Sequence, residues 1–125
     1  MSIQSLRAES IKRGYKRTIS LGALAASAFK QYERTHDDLK YAIRTYDAFN
    51  AMTIINNSSA NIAVDLDFQT EKRVVVIAGS MVSIDSIMFK EFNVTNLSAS
   101  TAISDGEVYI TIVFERPLAR ESVRY

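Results

Sequence analysis

The chain contains no cysteine. Disulfide staples, thiolate nucleophiles, zinc–thiolate sites and iron–sulfur clusters are therefore excluded together. The same absence agrees with synthesis in a reducing cytosol. Tryptophan is missing as well, which removes the strongest stacking platform for a sugar. The only histidine is His36, and the four glycines are too scattered to form a phosphate-binding loop or a dinucleotide fingerprint. The mostly apolar stretch at residues 19–29 is too short and too rich in Ala and Ser to span a bilayer. The N-terminus, MSIQSLRAESIKRGYKR, has no apolar run behind its basic residues and does not read as a secretory signal. The expectation is a protein made in the cytoplasm of its cell, with no membrane contact and no cofactor.

What is present is ordinary for one domain. The 125 residues are 47% hydrophobic and 23% charged, with a net charge of +1. A chain of this size buries a real core without staples, and its overall charge gives no pull toward nucleic acid or membrane.

The second half reads as strands. In residues 61–68, Asn-Ile-Ala-Val-Asp-Leu-Asp-Phe, Ile62, Val64, Leu66 and Phe68 share one face and Asn61, Ala63, Asp65 and Asp67 the other. This period of two marks a strand with one wet face. Residues 52–55 are apolar and β-branched, and the Asn-Asn-Ser-Ser-Ala between suits a turn, so a hairpin is expected. Residues 73–77 and 81–84 read as further strands around Ala78-Gly79-Ser80, with Asp85-Ser86 as an interruption. The apolar face switches between Phe89 and Phe92, which suggests a bulge near Lys90. Residues 96–104 read as a loop and Asp105-Gly106 as a tight turn. Val108, Ile110, Ile112 and Phe114 then point inward, and Pro117 ends the strand. Several short strands between turns predict an antiparallel β-sandwich or jelly-roll-like barrel.

The first half is ambiguous. Leu39, Ala42, Ile43, Tyr46 and Phe49 fit a helical stripe with Asp37 as N-cap, yet residues 41–46 also alternate. Residues 19–32 read as an Ala-rich helix or a long strand, and Gly22 argues against the helix. Strands are favoured for both segments. A short helix at residues 5–13 is an alternative to an extended arm.

Chemistry is sparse. His36 beside Asp37 and Asp38 has the elements of a hydrolase triad, but no serine stands in a G-x-S-x-G pattern. An exposed loop histidine is the preferred reading. Asp65 and Asp67, with Glu71 nearby, have the oxygens that calcium needs, or a carboxylate pair for glycosidase work. No calcium-loop motif is present, and a solvated strand face is preferred. The N-x-S/T sequons at Asn56, Asn57, Asn93 and Asn96 read as coincidences of a Ser/Thr/Asn-rich chain. The N-terminal segment is the one asymmetric feature. Arg7, Lys12, Arg13, Lys16 and Arg17 oppose only Glu9, a local net charge of +4 over seventeen residues. The preferred reading is a soluble, partly ordered terminus; an arm that orders on a neighbouring subunit comes next, and nucleic-acid contact third. The division expected is a basic arm at 1–17, extended or short-helical, a sandwich at 18–116, and a tail at 117–125.

Residues 46–114 resemble small β-sandwich structural proteins of bacterial and archaeal virus particles. The resemblance rests on Met-Thr-Ile-Ile-Asn-Asn-Ser-Ser-Ala-Asn-Ile-Ala-Val-Asp-Leu, Ala-Gly-Ser-Met-Val-Ser-Ile-Asp and Phe-Asn-Val-Thr-Asn-Leu-Ser. It implies a capsid, head–tail connector or tail subunit present in many copies and carried in the virion, and it carries over no catalytic residue. A physical argument points the same way. Open sandwiches leave edge strands that assemblies use to join subunits, and six tyrosines supply amphipathic contact area. The register of the last strand puts Tyr109 and Val113 outward, and Tyr125 lies in the tail. The candidate contact residues are thus Arg7, Lys12, Arg13, Lys16, Arg17, Tyr109, Val113 and Tyr125. The partners expected are copies of this chain and other structural proteins. A binding module for carbohydrate or peptide is the alternative.

Overall fold

The computed structural model describes residues 14–115. Among the described residues, eight antiparallel strands form two four-stranded sheets. They are β1 (Tyr15–Ser20), β2 (Phe29–Tyr32), β3 (Phe49–Asn56), β4 (Ile62–Leu66), β5 (Arg73–Val76), β6 (Met81–Phe89), β7 (Phe92–Asn96) and β8 (Val108–Phe114). A short α-helix, α1 (Lys40–Tyr46), precedes β3, and a 3-10 turn at Thr70–Lys72 precedes β5. The first sheet runs β1-β8-β3-β6 and the second β2-β7-β4-β5. Strand 1 pairs with 8, 2 with 7, 3 with 6 and 4 with 5, as in one long hairpin. Wrapping that hairpin then brings β3 beside β8 and β4 beside β7. This is the jelly-roll arrangement of two Greek keys.

Alternation along each strand builds the core. Ile19, Ile110, Ile54 and Val82 form one inward row across the first sheet. Ile62, Val64 and Leu66 answer from the second sheet, all fully buried. Tyr32, Phe92, Phe89 and Phe49 continue as a chain of aromatic contacts, with ring centroids 4.8–6.4 Å apart. Phe68 does not join them. It lies beyond the end of β4 with a positive φ of 58° and is exposed, because Asp67 has already turned the chain.

Several local expectations are corrected. Residues 52–68 are not a hairpin: β3 belongs to the first sheet and β4 to the second, so Asn56–Ala60 is a crossing between sheets. Residues 41–46 are helical, because Ala42 and Leu39 find an apolar cover only at helical spacing. Asp37 is not its cap; Leu39 holds that position, and the backbone N–H groups of Leu39 and Lys40 donate to the His36 carbonyl. Residues 19–32 divide into the end of β1, a connection and β2. The irregularity expected near Lys90 lies earlier. Phe49 pairs with Phe89 but Ala51 with Asp85, so β6 carries the excess residues, and Ser86 has a φ of 61°. Lys90 and Glu91 instead carry the chain from the first sheet to the second. β1 begins at Tyr15, so Lys16 and Arg17 are sheet residues rather than parts of an arm. Gly14, just ahead, has a φ of 87°, and a Cβ there would collide with the Phe114 carbonyl. Arg7, Lys12, Arg13, Pro117 and Tyr125, and the helix or arm expected at 5–13, lie outside the described residues.

Tyr32 yields a prediction about pH. Its hydroxyl is buried without a hydrogen-bond partner among the described residues. Burial, with a smaller push from Asp38, raises the phenol to about 12. In the unfolded chain it ionises near its ordinary value of 10.0. Between those values the unfolded state releases a proton that the folded state keeps, so rising pH favours unfolding. Tyr32→Phe is expected to stabilise the fold by about 1 kcal/mol at neutral pH. It should also flatten the loss of stability between pH 10 and 12, measured by denaturant titration beside the parent chain.

Candidate assembly surface

The outer faces of the sheets are where sequence and fold can build a site. On the first sheet, the outward row Lys16, Val113, Ala51, Asp85 is followed by Thr18, Thr111, Thr53, Ser83, and then by Ser20, Tyr109, Ile55, Met81. The middle row is a ladder of hydroxyls. Thr18 and Thr111 bond at 2.9 Å, and Thr53 and Ser83 at 3.0 Å. Small side chains in the centre leave a trough of about 550 Å³ above this ladder, with Lys16, Asp85 and Glu115 among its lining. Tyr109 and Val113 point outward and are half-buried, as their register predicts, but Thr111 separates them, so they do not make one apolar patch.

The second sheet differs. Its outward row is Phe29, Thr95, Ala63, Val75. Two residues further along the same face, Leu97 and Ile77 flank Asn61, whose carbonyl accepts from Leu97 N–H. Phe29, Val75, Ile77 and Leu97 are 42–63% exposed. The apolar character continues around the corner. Residues 77–80 join β5 to β6, so these two edge strands form one flank of the sandwich. Met81, Ile87 and Met88 are exposed along it. Among the described residues, six of the nine exposed large hydrophobic side chains therefore lie on these two edge strands and the outer face of the second sheet; Met88 borders a charged depression at one end, and Tyr41 and Phe68 stand apart. Val75, Ile77 and Leu97 are neighbours on the outer face of the second sheet, and apolar exposure grouped in this way marks an interaction site, whereas scattered single residues need no explanation.

Other polar clusters are internally satisfied. Asp65 is not on a wet face. It is 4% exposed, because Arg73 covers it with two hydrogen bonds, Nε to Oδ1 at 2.8 Å and a terminal nitrogen to Oδ2 at 3.0 Å. The carboxylate holds the guanidinium above its ordinary value through that hydrogen bond. Asp67 accepts from the Lys90 and Glu91 backbone N–H groups, at 2.8 and 3.4 Å, and fixes the turn between β6 and β7. Among the described residues no cluster of three or more metal-ligating side chains occurs. Arg73→Ala should uncover a buried carboxylate. Because the guanidinium side chain is 37% exposed, the loss is expected at about 2 kcal/mol, below the roughly 3–5 kcal/mol of a fully buried broken pair. Urea unfolding checks it.

His36 has a local task. Its ring packs on Tyr32 at 5.0 Å, and its Nδ1 accepts the Asp38 N–H at 3.0 Å in the turn that starts α1. Arg17 reaches the same turn, bonding Asp38 at 2.7 Å. At one end of the sandwich a second depression, about 440 Å³, is lined by Arg34, Glu91, Lys90 and Asp47. These pair with one another. The Arg34 guanidinium chelates Glu91 and holds that carboxyl below its ordinary range, and Lys90 meets Asp47 at 3.5 Å.

Of the expected contact residues, the structure places Lys16, Tyr109 and Val113 on the outer face of the first sheet and commits Arg17 to Asp38. The flank of β5 and β6 was not anticipated. Its signal was present in Val-Val-Val-Ile at residues 74–77, an apolar run without alternation. Such a run needs cover on both faces, and β5 has it on one. Among the described residues no helix is long and apolar enough to cross a membrane. Comparison with family models, with curated proteins and with solved structures finds no match to this chain.

Proposed function

We propose that this chain is a non-enzymatic structural subunit of a multi-copy assembly, in the leading case a virion protein of the capsid, head–tail connector or tail. The observation that carries the reading is the concentration of exposed apolar side chains on the β5–β6 flank and the adjoining face. A monomer that spends its life in water has no use for such a surface. Copies or partner subunits would cover it. The jelly roll supports the viral case, since it serves capsids as well as lectins, although a fold alone does not assign a function. In this reading the protein is made in the host cytoplasm and carried in the particle.

The trough above the hydroxyl ladder favours a second reading, a ligand-binding module for carbohydrate or peptide. Sedimentation velocity over a wide concentration range separates the two. A subunit is expected to form a defined oligomer. A chain that stays monomeric, while oligosaccharides shift the amide resonances of Thr53 and Thr111, would replace the first reading with the second.

A further inference from the structure

Resting on the second reading, we infer that the trough of the first sheet is a site for a short neutral oligosaccharide, held by the hydroxyl ladder together with Asp85, Glu115 and Lys16. The floor is the outward row Thr18, Thr111, Thr53, Ser83, one residue from each of β1, β8, β3 and β6, so the trough runs across the strands. Three strand spacings give that row a length of about 14 Å. The volume of about 550 Å³ lies within the roughly 300–1,000 Å³ of small-molecule sites. The two depressions of the molecule differ in their charges. At the end of the sandwich Arg34 pairs with Glu91, and Lys90 with Asp47. In the trough the side chains of Lys16, Asp85 and Glu115 make no ion pair or hydrogen bond among the described residues. Their bonding capacity is open to a ligand.

The chemistry of the floor fits a sugar. Thr18 with Thr111, and Thr53 with Ser83, each spend one O–H on the bond within the pair. The other O–H of each pair is free to donate, and both oxygens keep lone pairs. Either partner can be the donor, so the floor accommodates a ligand group that donates or one that accepts. Sugar hydroxyls do both. Each carboxylate offers two acceptor oxygens to neighbouring sugar hydroxyls, and Lys16 offers donors. Half-buried Val113 stands on one bank, with Ile55 and Tyr109 on the other. A pyranose carries hydroxyls at its rim and C–H groups on its faces, so it meets both kinds of surface. Two carboxylates against one ammonium disfavour an acidic sugar. An extended peptide is the weaker fit. It binds by adding to an open sheet edge, whereas the trough lies over β8 and β3, which are paired on both sides.

The test is an NMR titration of the isotope-labelled chain with maltotriose, cellotriose, tri-N-acetylchitotriose and trigalacturonic acid. At least one of the neutral sugars is expected to shift the amide resonances of Thr53, Ser83 and Thr111 at millimolar concentration, and the acidic one to bind more weakly. Asp85→Asn, at an exposed position, and Thr53→Val, which keeps the β-branched shape, should each weaken that binding by about tenfold. Should Thr53→Val fail to fold by circular dichroism, Asp85→Asn on the edge strand carries the comparison. Unchanged affinity in the variants, or shifts confined to another surface, would overturn the trough as the site while the carbohydrate-module reading survives. Equal or tighter binding of trigalacturonic acid would overturn the neutral class. Silence with all four sugars also overturns the inference; extended peptides that then shift the same resonances keep the module reading in its peptide form, and a chain that answers to neither loses both.

Discussion

Replacing Asn56 by alanine is expected to lower the stability of the fold by about 3 kcal/mol. Asn56 is fully buried at the end of β3. Its Nδ2 donates to the carbonyls of Ala60 and Val76, at 2.8 and 3.1 Å. Its Oδ1 accepts from Ser58 N–H at 3.0 Å and from Ser58 Oγ at 2.6 Å. One side chain thus ties β3 of the first sheet to the entry of β4 and the exit of β5 in the second. Alanine leaves two buried carbonyls and an amide without this partner, at about 1–3 kcal/mol for each stranded group before relaxation. For a domain of this size the melting temperature should fall by on the order of 15 °C. Asn57→Ala, at the exposed neighbour, should change stability by no more than about 0.5 kcal/mol. Asn96 repeats the device: Nδ2 donates to Thr101, Ala25 and Leu24 carbonyls, and Oδ1 accepts from Ser98 N–H. Asn96→Ala should behave alike. A loss under about 1 kcal/mol in both variants, by denaturant titration, would show that these corners are not held as described.

Placing lysines at Ile77 and Met81 together should weaken self-association at least a hundredfold while leaving the fold intact. Both side chains are 63% exposed and flank the turn between β5 and β6. Burying such a side chain against a partner contributes about 1.5–3 kcal/mol. Two of them lost, with two ammonium groups now to be desolvated, exceed the roughly 2.7 kcal/mol that a hundredfold change in Kd requires. Equilibrium sedimentation measures the change, and circular dichroism reports the fold. Unchanged association would place the contact elsewhere on the molecule.

The strand content was legible because it needs only short-range information. Alternation in residues 62–68 and 108–114 predicts one interior, and Ile62, Val64, Leu66, Val108, Ile110 and Ile112 are buried there; Phe68 is exposed, Phe114 half-buried, and the supposed wet face of Ala63 and Asp65 is buried too. The outward register of Tyr109 and Val113 follows from the same period. The turn at Asp105-Gly106 and the loop after Asn96 were also visible. Partnering was not. Asn56–Ala60 has the composition of a hairpin turn, and nothing in that composition says whether the next strand returns to the same sheet or crosses to the other. The crossing depends on Asn56 finding the Val76 carbonyl, twenty residues further along the chain. Helix and strand were equally good descriptions of residues 41–46, because a short amphipathic segment satisfies both periods; the position of the core relative to Leu39 and Ala42 decided between them. The sequons at Asn56 and Asn96 concealed the two most constrained polar side chains of the fold, since burial is not written in a tripeptide.

What the chain determined locally is which residues face inward, where it turns, and which chemistries it has no atoms for. What the tertiary structure alone decided is which strands are edges. Val74–Ile77 would be unremarkable in a central strand, covered on both faces and paired on both sides. Only the wrapping of the long hairpin leaves it outermost among the described strands, with Val75 and Ile77 exposed on its outer face, because edge position belongs to the sheet and not to the segment.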